Sequence, residues 1–180
     1  MRTAAALILS AALPALPAAC GHAAQPLDWS AVRALIAEQF PDVPSVTTAE
    51  LAASLAADPA GVVILDARAA REFAVSHLPG AHHVGADADT AGRLAAAVPG
   101  ARVVVYCSVG YRSAALVERL RERGHTNAVN LEGSIFRWAR EGRPVYRGEA
   151  RVQQVHPYDD NWGALLPRSL WEYAPTPPAP

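Results

Sequence analysis

The segment Val103-Val-Val-Tyr-Cys-Ser-Val-Gly-Tyr-Arg-Ser113, followed by a helix-forming stretch, constrains this chain more than any other. Three valines and a tyrosine in succession lack the alternation of a half-exposed strand and suit one buried on both faces, as in a parallel sheet. That strand delivers Cys107. Ser108, Gly110 and Ser113 tolerate a tight turn, and Ala114 to Arg123 is rich in Ala, Leu, Glu and Arg before Gly124 stops the helix. Cys107 thus sits where a strand's carboxyl end meets a helix start, a position where ligands bind in open α/β sheets and unpaired amide N–H groups favour anions. The helix terminus and the nearby cation Arg112 both stabilise a thiolate, so Cys107 reads as a reactive sulfur rather than an inert buried one.

The remaining chain repeats the alternation of strand and helix. Val43 to Thr47 forms a short first strand, and Thr47 or Thr48 caps a helix reaching about Ala57, with Glu50 completing a capping box if Thr47 is the cap. Val62-Val-Ile-Leu65 is a second buried strand that delivers Asp66 to the same side of the sheet as Cys107. There Asp66 orients a neighbouring arginine, accepts loop N–H groups, or caps a helix over Ala69 to Ser76. Leu78-Pro-Gly-Ala81 is a turn, His82 to Val84 a third strand, and Asp87 to Val98 a surface helix closed by Pro99-Gly100. Asn127 to Leu131 is a fifth strand, and Ser134 to Glu141 a helix ended by Gly142 and Pro144. Strands alternating with helices predict an α/β fold, a parallel sheet with helices on both faces.

Two segments flank this pattern. Trp29, Val32, Ile36 and Phe40 lie near one face of a helix ended by Pro41, which reads as packing over the domain's edge without a functional role. After Val145 the periodicity dissolves into an irregular tail. Its aromatics and Leu165-Leu166 predict that it wraps onto the domain, and the Pro-rich stretch from Ala174 is expected to lack fixed structure.

Residues 1–24 have the layout of a secretory signal peptide: Arg2, an uncharged run, then small residues. Two cleavage sites remain open. Cutting after Ala23 releases a soluble exported protein, whereas Leu16-Pro-Ala-Ala-Cys20 resembles a bacterial lipoprotein box in which Cys20 receives a lipid. Either way Cys107 is the one free side-chain thiol of the mature domain, and the expected location is periplasmic, soluble or anchored.

Composition narrows the function classes. All 16 basic residues are arginine and 17 acidic residues offset them, for a net charge of -1, so no basic field suited to nucleic acid exists. Arg119, Arg121 and Arg123 alternate with Glu118 and Glu122 as a solvated helix face. Two cysteines make no disulfide framework. The histidines are scattered or, as His82-His83, adjacent, so no metal site is expected.

Cys107-Ser-Val-Gly-Tyr-Arg-Ser113 resembles the active-site loop of rhodanese-domain sulfurtransferases, Cys-x-x-Gly-x-Arg-Ser/Thr. Upstream, Asp66-Ala-Arg68, Glu72-Phe73 and His77-Leu-Pro-Gly-Ala81 resemble the same family's Asp-x-Arg, Glu-Phe and Gly-His-Ile-Pro-Gly-Ala signature, with Ser76 in place of the usual Gly. The likeness spans about Ser45 to Val145. It implies a rhodanese-like α/β fold with a central five-stranded, mostly parallel sheet. The corresponding division is 1–24 signal peptide, 25–44 helical extension, 45–147 rhodanese-like domain, 148–173 wrapping tail and 174–180 Pro-rich end.

The resemblance also implies a chemistry that needs no cofactor. Cys107 takes the outer sulfur of thiosulfate or a persulfide, and a thiol, which could belong to a protein, or cyanide then removes it. Ser108, Val109, Gly110, Tyr111 and Ser113 form the loop that cradles the anionic sulfur, while Arg112 adds charge or holds the loop's shape. Asp66, Arg68 and Arg71 are supporting residues, and in some rhodaneses an arginine near this position helps hold the substrate. Related phosphatases and arsenate reductases use a longer loop between Cys and Arg; the shorter one here suits a single sulfur atom. Ser108 stands where thiosulfate-preferring enzymes often carry a basic residue, and Val109 and Tyr111 make the rim apolar, which suits a larger persulfide or a protein thiol. A binding module that kept the fold without catalysis is the alternative from another class.

Overall fold

A computed structural model describes residues 27–175. The expected signal peptide, Cys20 and the last residues of the Pro-rich end lie outside them. No described helix is long and apolar enough to cross a membrane.

Five parallel strands make the central sheet: β1 (Ser45–Val46), β2 (Val62–Asp66), β3 (His82–His83), β4 (Arg102–Tyr106) and β5 (Ala128–Leu131), in the order β1-β5-β4-β2-β3. The valine run lies at the centre, with Val104 opposite both Ile64 of β2 and Val129 of β5. Its residues alternate between two apolar layers, so a strand without polar positions is required. Val103, Val105 and Cys107 join the layer under α4 (Ala88–Ala97) and α5 (Tyr111–Glu122). Val104 and Tyr106 join the other, with Val32 of α1 (Trp29–Gln39), Leu51 of α2 (Thr48–Ala57) and Phe136 of α6 (Ser134–Arg140). The short α3 (Ala70–Val75) follows β2.

The helix starts follow from capping chemistry. Asp28 accepts the N–H groups of Ser30 and Ala31, each at 2.8 Å. Thr47 and Glu50 form the capping box of α2, with the Glu50 N–H donating to Thr47 Oγ1 at 3.1 Å and the Thr47 N–H donating to Glu50 Oε2 at 2.8 Å.

The tail departs from expectation. Instead of losing regular structure after Val145, the chain forms an antiparallel hairpin of β6 (Val145–Arg147) and β7 (Ala150–Val152) around Gly148–Glu149. Gly148, with φ +58°, supplies the left-handed turn residue. Strands this short leave too few positions for a period-two pattern to register. A bridge between His77 and Tyr146 ties the hairpin to the domain, and α7 (Asp160–Gly163) follows. Within the tail, Val155, Leu165 and Leu166 are buried in the same layer as Val104.

Candidate active site

Strand β4 ends by presenting Cys107, and the chain turns at once into α5, whose N-cap is Gly110. Gly110 adopts φ +118°, a backbone conformation that favours glycine, and a side chain there would also crowd Ile36 Cδ1 at 3.2 Å. The turn folds the Gly110 N–H back onto Cys107, donating to Sγ at 3.1 Å. The thiol is nearly enclosed, at 1% exposure. Burial pushes its pKa up, but the Arg112 charge, the Ser113 hydroxyl and the N–H groups of Ser113 and Gly110 hold it below the ordinary value.

Arg112 is oriented by a carboxylate to which the sequence reading assigned no role. Glu72 of α3 takes the guanidinium in a bidentate pair, Nη1 to Oε2 at 2.8 Å and Nη2 to Oε1 at 2.7 Å. Ser108 completes the cluster: its Oγ donates to Glu72 Oε1 at 3.1 Å and accepts from Arg112 Nη2 at 3.0 Å. Burial opposes ionisation of Glu72, yet hydrogen bonds and charge from Arg112 bring its pKa down to about 2. Arg112 is thereby clamped to α3, and its charge lowers the pKa of the Cys107 thiol.

Asp66 and Arg68 make a separate pair, fully buried at 0% side-chain exposure, with Arg68 Nη2 donating to Asp66 Oδ2 at 2.6 Å. Asp66 also accepts the Arg68 backbone N–H at 2.9 Å, so it orients the arginine and its loop rather than capping α3. Helix α3 is instead closed by Glu72, which accepts the Ala69 N–H at 3.0 Å. Arg68 further donates to the Ser76 carbonyl at 2.6 Å. A guanidinium sealed in this way is unable to reach substrate, which corrects the substrate-holding role the family resemblance offered for this position. Arg71 is exposed on α3 and is not part of the pocket lining.

Four further residues shape the site without a local sequence signal. Ser134, at φ +50°, accepts the Cys107 N–H on its Oγ at 3.1 Å and donates its own hydroxyl to the Leu131 carbonyl at 3.1 Å. A non-glycine residue there carries backbone strain that the two bonds hold in place. Asn130 accepts from the Ser113 hydroxyl at 2.7 Å. Over the sulfur lies a pocket of about 210 Å³ with Val109 and Tyr111 among its lining residues. Leu35 of α1 and Trp162 of the tail also line it, so the N-terminal helix, read as serving packing alone, contributes to the site.

The pattern described as "Rhodanese-like domain" matches residues 47–141, just over half of the chain. Among curated proteins, a stretch of 84 residues is 31% identical to a "Probable adenylyltransferase/sulfurtransferase MoeZ" of Mycobacterium tuberculosis, covering 46% of this chain and 21% of that protein. A stretch of 47 residues is 40% identical to a "Sulfurtransferase" of Allochromatium vinosum, covering 26% of this chain and 44% of that one. The chain thus spans less than half the length of either relative. Among solved structures, a thiosulfate sulfurtransferase from Pseudomonas aeruginosa superposes with a TM-score of 0.56 at 28% identity, over 68% of this chain and 24% of that one. The matched residues contain β2, β4, the Cys107 loop and the Glu72–Arg112 clamp, and on this ground the chain belongs to the rhodanese-like domain family.

Proposed function

We propose that this protein is a sulfurtransferase that carries sulfane sulfur as a persulfide on Cys107. The observation that carries the reading is the Gly110 N–H donating to Cys107 Sγ at 3.1 Å, in a loop where Arg112 and Ser113 hold the thiol below its ordinary pKa. The resemblance to sulfurtransferases supports it. The Cys107 thiolate attacks the outer sulfur of a thiosulfate or persulfide donor, and the bond joining that sulfur to the rest of the donor breaks as the new S–S bond forms. Sulfite or a thiolate leaves with the electron pair. An acceptor thiolate or cyanide then attacks the outer sulfur of the Cys107 persulfide and restores the thiolate, so the two half-reactions follow ping-pong kinetics. Loop N–H groups stabilise negative charge on whichever sulfur bears it, and Arg112, neutralised in part by Glu72, holds the loop in register.

Intact mass before and after exposure to thiosulfate or glutathione persulfide tests this directly, with Cys107→Ser alongside. A gain of one sulfur, about 32 daltons, confined to the wild type and discharged by cyanide is the expected result. No gain from either donor overturns the proposal and leaves a binding module on the same fold.

A further inference from the structure

The pocket over Cys107 is only partly made by the family domain. Residues 47–141 supply its floor and inner rim, while Leu35 comes from α1 and Tyr158 and Trp162 from the tail. Leu35 and Tyr158, at 40% and 38% exposure, are two of the four large apolar or aromatic side chains left open to solvent among the described residues. Both lie on this one pocket.

Their placement is specified rather than incidental. Tyr158 holds a left-handed backbone, φ +71°, which strains a non-glycine residue, and its N–H donates to the Nδ1 of buried His156 at 3.0 Å. Its ring lies over the Arg112 guanidinium, 4.8 Å from Cζ to centroid. Trp162 is fixed by its N–H to Asp159 Oδ1 at 2.9 Å. Arg112 is the one charged residue lining the pocket; Glu72 and Ser108 occupy both its Nη groups, and Tyr158 covers a face. A small dianion meets a neutralised, shielded cation there, whereas an apolar group meets an aliphatic and two aromatic walls.

We propose that Leu35, Tyr158 and Trp162 form a subsite for the organic substituent of the sulfur donor, selecting hydropersulfides R–S–SH with a bulky apolar R over thiosulfate. This rests on the sulfurtransferase reading above. In the step, the Cys107 thiolate bonds to the outer sulfur of R–S–SH, the inner S–S bond breaks, and R–S⁻ leaves with the electron pair. The outer sulfur keeps its proton, so Cys107 becomes a hydropersulfide with no external oxidant or reductant.

The test follows sulfur loading of Cys107 by mass in the full chain, with thiosulfate, methyl hydropersulfide and benzyl hydropersulfide, each rate normalised to the same donor's reaction with free cysteine. The expected benzyl-to-methyl ratio in kcat/KM is about tenfold or more, the scale on which an apolar pocket discriminates. Leu35→Ala and Trp162→Ala should each lower that ratio by about fivefold. Tyr158→Asn, whose residue accepts a left-handed backbone, should uncover Arg112 and raise thiosulfate use relative to benzyl hydropersulfide. A wild-type ratio near one, or a ratio unchanged by the variants, overturns the subsite. Leu35, on an exposed helix position, decides the matter if Trp162→Ala does not fold. Failure of all three donors to load Cys107 overturns the sulfurtransferase reading itself.

Discussion

Two carboxylate–arginine pairs built from the same chemistry serve different ends in this molecule. Asp66 and Arg68 are two residues apart and wholly enclosed, with Tyr106 beneath the guanidinium at 5.4 Å from Cζ to centroid. Glu72 and Arg112 come from distant segments and meet at the pocket, where the glutamate is buried and the arginine side chain stays 34% exposed. The first pair locks the chain leaving β2, and its charges are spent on each other and on the Ser76 carbonyl. The second sets a charge near a thiol, whose pKa it lowers. Proximity in sequence makes a strut, whereas closure across the fold makes a clamp on the Cys107 loop.

Removing one member of each pair should separate these roles. Asp66→Ala leaves the Arg68 charge buried and unpaired, and should cost about 3–5 kcal/mol of folding stability, read by denaturant unfolding. Protein that still folds should load Cys107 near the wild-type rate. Arg112→Gln should cost less stability, about 2–3 kcal/mol, because the arginine is partly solvated and its replacement still donates a hydrogen bond to Glu72. Its larger effect is on the sulfur. Since the folded thiol lies below its ordinary 9.0, the thiolate fraction begins to rise at lower pH than in a free cysteine; the iodoacetamide alkylation profile should therefore have its midpoint below 9.0 in the wild type and move upward in Arg112→Gln.

Acid should report on the clamp as well. Glu72 titrates near 2 in the folded protein against an ordinary 4.5, so its contribution is fully present above about 4.5 and lost as pH falls toward 2. Urea unfolding followed from pH 6 to pH 2 should show that loss, and Glu72→Gln should flatten the slope. The smallest effect belongs to Ser108→Ala, about 1–2 kcal/mol, since each Glu72 oxygen retains an Arg112 partner after the hydroxyl is gone. An equal loss from Asp66→Ala and Ser108→Ala would erase the distinction between strut and clamp.

Local patterns carried most of the fold. The valine run, the capping residues Asp28 and Thr47, and the glycine after the cysteine each act within a few residues, so their consequences are written where they stand. The candidate loop was legible for the same reason: Cys107, Gly110 and Arg112 belong to one turn and the start of one helix. The hairpin of the tail was not legible, because strands of three residues display no usable periodicity.

What only tertiary structure decided are the partners. Glu72 stood in view beside Phe73, but nothing local indicates that its carboxylate reaches across forty residues to Arg112. Ser134 becomes the acceptor for the Cys107 N–H only once β5 and α6 are docked against β4, and Leu35 and Trp162 line one pocket over the sulfur only because α1 and the tail pack beside the Cys107 loop. The sequence by itself determined which atom is the candidate nucleophile, since backbone geometry and the helix start act at short range. The company that atom keeps depends on contacts between remote segments, which exist only after the sheet brings them together.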